Sequence, residues 1–229
     1  MVKTELIKRS PLRILEKSIH GGLQGGHLGL IAAQKGEGKT ACVVHLATDK
    51  LLQGKRVVHV SFEVKTNHIL DWYEIVFREI SERRNLESVG DVHEEIIKNR
   101  VILNFNQATV DAPHVISSID ALISQGNFGA EIVVVDGYDF SHGDPSFLTQ
   151  LREYCKTKDL ALWATADVQK TGDGFPKELK AFEEITSVLI DLEPKGDHIQ
   201  LSLRKDYDRE VNESLHLILE PRTLLIVEE

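Results

Sequence analysis

Leu28 to Leu52 reads LGLIAAQKGEGKTACVVHLATDKLL, and this stretch decides the fold. Its first six residues, Leu28-Gly29-Leu30-Ile31-Ala32-Ala33, form an apolar run of the length of a buried strand. A loop with two glycines follows, Gln34-Lys35-Gly36-Glu37-Gly38. Lys39-Thr40-Ala41 then opens a segment with Val43, Val44, Leu46, Ala47, Leu51 and Leu52 at helical spacing, and Gly54 is its stop signal.

The residue types fit one chemistry. A polyphosphate needs many donors at short range, and backbone N–H groups supply them only where no Cβ intervenes. Gly36 and Gly38 permit that wrapping, and a helix starting at Lys39 adds its positive dipole end. Strand, glycine loop, Lys-Thr and helix together make a P-loop. Gln34, Lys35, Gly36, Glu37, Gly38, Lys39, Thr40 and Ala41 are therefore the candidate nucleotide-binding residues. Lys39 would reach the outer phosphates of ATP and Thr40 would ligate Mg²⁺. A strict motif has glycine where this chain has Ala33, which is small and lies before the closest backbone approach.

Composition sets the frame. The chain has 229 residues, enough for one domain with a proper core, and we expect 1–229 to form that domain with 1–27 as a helical, glycine-rich lead-in. A formal net charge of −9 argues against a uniformly basic nucleic-acid coat. No apolar run approaches a membrane span, no signal-peptide core opens the chain, and Cys42 and Cys155 are isolated. The expectation is a cytoplasmic protein with no membrane partner and two buried free thiols.

Upstream, Ser10-Pro11 starts a helix carrying Leu12, Leu15 and Ile19, and Gly21-Gly22-Leu23-Gln24-Gly25-Gly26 turns into the first strand. Downstream, Val57 to Glu63 is a β-branched run that reads as a second strand. Asn67–Arg84 and Asp91–Lys98 read as helices, Val101–Phe105 as a strand and Ala112–Ile123 as a helix. Glu131-Ile132-Val133-Val134-Val135-Asp136 reads as a buried parallel strand ending in an acid. A magnesium-holding aspartate paired with Thr40 accounts for Asp136 better than a turn before Gly137 does. Asp139 is a weaker second acid. Pro145–Lys158 reads as a covering helix and Leu160–Ala166 as a further strand.

These motifs resemble the RecA-like ATPase core shared by RecA/RadA recombinases, DnaB-type helicases and KaiC-type clock ATPases. Gly26-His27-Leu28 occupies the family's Gly-x-Leu slot, and Ser61-Phe62-Glu63 resembles the end of its second strand. The resemblance implies a mainly parallel α/β sheet flanked by helices, with antiparallel C-terminal edge strands. It gives Glu63, with Lys39, a catalytic role, Glu63 by orienting or deprotonating the attacking water. A γ-phosphate sensor falls on Ala166-Asp167-Val168-Gln169-Lys170, where Asp167 stands in place of the family's Gln and Gln169 follows two residues on. Thr171–Lys180 lies where recombinases and helicases place a DNA-binding loop, with Phe175 as a stacking candidate.

Val188–Leu192 and His198–Leu203, separated by a turn over Glu193–Asp197, read as late strands, as do Leu215–Leu219 and Thr223–Val227. In hexameric relatives a Lys-x-Arg at such a strand end reaches the neighbouring subunit's ATP. Lys205 matches the lysine, Tyr207 replaces the arginine, and Arg209 follows. The implied activity is Mg-dependent ATP hydrolysis by a ring or filament of copies. Three uses stay open: recombinase- or helicase-like work on single-stranded DNA, a KaiC-like switch acting on a protein partner, or a low-turnover nucleotide-binding scaffold.

Overall fold

The computed structural model describes residues 1–62, 66–144, 146–169 and 174–229. Among these residues nine strands form one sheet in the order β3-β2-β4-β5-β1-β6-β7-β8-β9. The strands are β1 (Leu28–Ala33), β2 (Val57–Ser61), β3 (Arg100–Asn104), β4 (Ile132–Asp136), β5 (Ala161–Asp167), β6 (Thr186–Lys195), β7 (His198–Asp206), β8 (Arg209–Leu219) and β9 (Ile226–Glu228). From β3 to β6 every neighbouring pair is parallel, and from β6 to β9 every pair is antiparallel.

Parallel strands need crossovers, and the helices that supply them cover both faces. One face carries α1 (Lys3–Lys8), α2 (Leu12–Ser18), α3 (Lys39–Leu52), α4 (Thr66–Arg83) and α5 (Val89–Lys98). The other carries α6 (Ala112–Asp120) and α7 (Phe147–Thr157). β1, β2 and β4 are buried along their whole length, as strands covered on both faces must be. Burying each valine of β4 contributes roughly 1.5–3 kcal/mol, so this strand cannot slip toward solvent. Cys42 and Cys155 are both buried free thiols, and burial pushes each up to about 12.

Several boundaries differ from the sequence expectation. α1 has no sequence signature, because only Leu6 of its six residues is buried and no apolar stripe announces it. α2 begins at Leu12, whose N–H donates to Ser10 Oγ at 3.3 Å, so the expected Ser10 does serve the helix start. The helix expected through Ile123 ends at Asp120 and continues as a π-helical turn over Ala121–Gln125. The turn expected over Glu193–Asp197 is tighter: β6 runs to Lys195, and Gly196, at φ +64°, turns the chain back into His198.

β8 starts at Arg209 and not near Leu215, because it pairs with β7 while leaving Glu210, Asn212, Glu213 and Ser214 in water. The last strand is shorter than expected. Leu224, at φ +61°, donates its N–H to Glu220 O at 2.8 Å, which makes Thr223 and Leu224 part of a turn.

Candidate functional site

The registers bring the tips of separate strands together. Ala33 at the end of β1 stands beside Asp167 at the end of β5, and Ser61 at the end of β2 stands beside Asp136 at the end of β4. The crevice beyond the carboxyl ends of parallel strands is where such sheets bind ligands. The loop Gln34–Gly38 leaves β1 into this crevice and α3 begins at Lys39.

The loop is shaped by local geometry. Gly38 has φ +83°, and a Cβ there would lie 2.3 Å from Leu219 Cδ2, so the loop passes close under the end of β8. Gly36 has φ +88° and an outer side free of neighbours. Glu37 folds back, its carboxylate accepting the Gln34 N–H at 2.8 Å. Lys35 is exposed, while Ala41 is buried in the first turn of α3 beneath the loop.

Lys39 and Thr40 point at different partners. The Lys39 ammonium donates to Gln34 O at 2.9 Å and Ala33 O at 3.3 Å, and pairs with Asp167 Oδ1 at 2.5 Å. The Thr40 hydroxyl donates to Asp136 Oδ2 at 3.0 Å. The other carboxylate oxygen of Asp136 accepts from Thr165 Oγ1 at 2.6 Å. Thr165 in turn accepts from the Gly137 N–H at 3.3 Å. Thr165 is a site residue that sequence reading missed; its signal was a lone polar residue inside the apolar run of β5.

The donor set suits magnesium, which takes one or two protein oxygens and completes its octahedron with water and phosphate. Thr40 Oγ1 and Asp136 meet that demand. Among the described residues no three His, Cys, Asp or Glu side chains form a cage that would bind a metal without help from a ligand.

Glu63, expected to handle the attacking water, lies outside the described residues, as do Lys170 and Thr171–Asp173 of the expected sensor and loop segments. The residue just before Glu63 is firmly held. The Phe62 ring packs edge-on against Tyr138 at 5.1 Å and Phe147 at 5.6 Å, and its N–H donates to Asp136 O at 2.9 Å. Of the sensor candidates, Asp167 reaches Lys39, while Gln169 is exposed and its N–H donates to Glu178 Oε1 at 2.9 Å.

Part of the segment expected as a loop is folded. Lys177–Phe182 is a 3₁₀ turn that buries Leu179 and Phe182, and Phe175 is partly buried. Asp139 caps a turn, accepting from the Ser141 N–H at 2.8 Å and pairing with His142 Nδ1 at 2.9 Å. That hydrogen bond from His142 is the main reason its carboxyl is held below the usual range.

The candidate trans-acting cations sit elsewhere. Lys205 stands beside Leu189 of β6, and the turn Tyr207-Asp208 joins β7 to β8 at the end of the strands opposite the P-loop. The Lys205 ammonium donates to Glu183 O at 2.5 Å, and Arg209 is exposed. Tyr207, in the arginine's place, packs against His27 at 5.0 Å and donates to Gly22 O at 3.4 Å. It therefore anchors the hairpin to the glycine-rich lead-in of its own chain.

Comparison with known proteins agrees with this architecture. No family model matches the chain, and no curated protein matches its sequence. Among solved structures it is similar to the ATPase domain of a DnaB-like helicase, with a TM-score of 0.73 and 16% identity over 96% of this chain and 90% of that one. It is also similar to a DnaB-like replicative helicase, described with its interactions with primase, with a TM-score of 0.72 and 16% identity. That match covers 95% of this chain but 61% of the helicase chain. The chain has the RecA-like fold that its motifs implied.

Proposed function

We propose that this chain is a magnesium-dependent P-loop ATPase that works as an assembly of copies on DNA. The observation that carries the reading is the bond from Thr40 to Asp136, at the mouth of a glycine loop whose lysine points into the same crevice. A buried carboxylate on a threonine that opens a phosphate-facing helix has an obvious use in holding a hydrated cation against phosphate oxygens. The likeness to the isolated helicase ATPase domain and to the DnaB-like replicative helicase supports an NTPase related to helicases.

The roles follow from position. The amides of Gly36–Thr40 and the Lys39 ammonium bind the phosphates, and Thr40 and Asp136 would hold Mg²⁺, which offsets charge on the outer phosphates when bound. Thr165 fixes the Asp136 carboxylate so that one oxygen stays aimed at Thr40. Glu63, one residue beyond the anchored Phe62, orients the attacking water. Lys205 and Arg209 cannot serve their own P-loop from the other end of the strands, so any catalytic use of them is in a neighbouring copy's site. Reaching it would require Lys205 to leave Glu183 O.

A second reading has support as well. The net charge of −9 and the burial of Leu179 and Phe182 leave less free basic loop for DNA than a helicase would use. They favour an ATP-driven switch acting on a protein partner. Phosphate release with and without single-stranded DNA separates the two. DNA-stimulated, salt-sensitive turnover supports the first reading, and turnover indifferent to DNA supports the second. Glu63→Gln should retain ATP binding and lose about 100-fold or more in turnover, while no turnover in the wild type refutes both.

A further inference from the structure

Asp167 brings a negative charge to the place where the phosphates of a nucleotide would sit. β1 and β5 stay paired past it, because the Val168 N–H donates to Ala33 O at 3.0 Å. The Asp167 carboxylate is thereby held beside the P-loop, 2.5 Å from the Lys39 ammonium. Lys39 has three N–H donors. Two go to Ala33 O and Gln34 O, and the third goes to Asp167. A phosphate oxygen that takes Lys39 must displace Asp167 or share the ammonium with it.

We infer that Asp167 is a specificity residue that selects against terminal phosphate charge, so that this site discriminates between tri- and diphosphate and depends on magnesium to accept the triphosphate. The inference rests on the nucleotide-binding reading of the P-loop. A carboxylate and a γ-phosphate on one ammonium repel each other, and the penalty grows with the charge of the phosphate group closest to Lys39. A diphosphate places less charge there. A divalent cation on Thr40 and Asp136 neutralises part of the triphosphate's charge and lowers the penalty. The Asp167 side chain is 61% exposed, so it can swing out, and the cost is one of affinity and not of access.

The test is calorimetric binding of ATP and ADP, each with magnesium and with EDTA, to wild type, Asp167→Asn and Asp167→Glu. Because Asp167 is exposed, neither variant should disturb folding, which circular dichroism checks. Asp167→Asn should tighten ATP binding by about tenfold, corresponding to roughly 1.4 kcal/mol. The gain should be largest in EDTA and no more than about threefold for ADP. Asp167→Glu should retain the wild-type preference. Equal gains for ATP and ADP, or no gain for either, overturn the inference while leaving the P-loop reading intact. Weaker Mg-ATP binding in Asp167→Asn also overturns it and makes Asp167 a metal-holding residue. If folded wild type and Asp167→Asn both give no binding heat, the P-loop reading fails and takes the inference with it.

Discussion

The Thr40 hydroxyl reaches the Asp136 carboxylate across 3.0 Å, joining residues 96 positions apart. One comes from the first turn of α3 and the other from the tip of β4, so the bond exists only because β1 and β4 flank β5 in the sheet.

Removing either end of the phosphate and metal machinery should separate binding from folding. Lys39→Ala deletes the ammonium, and charge-assisted hydrogen bonds contribute about 1.5–3 kcal/mol, so Mg-ATP binding should weaken about 10- to 100-fold. Asp136→Asn keeps the shape but not the charge. It should abolish most of the gain in affinity that magnesium gives ATP, while ADP in EDTA binds as in the wild type. Calorimetry on both variants checks this.

Gly38→Ala tests the loop itself. The backbone at φ +83° strains any L side chain, and the Leu219 methyl must also move aside. A loss of about 1 kcal/mol or more in urea unfolding is expected, together with weaker ATP binding. Gly38→Ala combined with Leu219→Ala relieves the contact but not the strain, so nucleotide affinity should stay low.

Two buried histidines make stability depend on pH. His45 accepts the Ile226 N–H through Nδ1 at 2.8 Å, and His59 shares a hydrogen bond with Tyr73 at 3.0 Å. Burial lowers each to about 3, with Arg100 adding to the effect on His59. The folded pKa lies below the unfolded value, so the neutral forms contribute fully above pH ~6.5, and stability falls as pH drops from there toward 3. Each histidine steepens that fall by about 1.4 kcal/mol per pH unit. His45→Asn should retain an acceptor for Ile226 and remove about half of the histidine-dependent slope in unfolding measured between pH 6 and 4.5.

Arg204 is a buried cation of the antiparallel half. Its Nε donates to Asp191 at 3.0 Å, and its other nitrogens meet Glu193 and Asn212. Arg204→Ala takes the guanidinium away from the fully buried Asp191 and should cost about 3–5 kcal/mol in denaturant unfolding. Arg204→Lys should recover only part, because a single ammonium cannot replace the forked contacts.

The parallel half was legible because its strands are buried on both faces. β1 and β4 read as unbroken apolar runs, and the glycine loop and Asp136 each stand at the end of one. The antiparallel half was harder. β8 exposes Glu210, Asn212, Glu213 and Ser214, and register shifts in its pairing with β7 break the alternation that sequence patterns detect. The pairing of Lys39 with Asp167 also escaped, since it depends on β5 lying next to β1, which no local spacing reveals. Tyr207 reads in the sequence as a defect in a cationic motif. It is instead a tether whose partners, Gly22 and His27, lie far away in the chain.

The glycine cradle and the hairpin tip point away from each other along the same strands. Copies that meet through those two places must therefore associate with polarity, head against tail, as no two-fold pair can. A linear stack built this way always leaves one cradle without a neighbour at its terminus. Only a circle gives every subunit an equivalent junction.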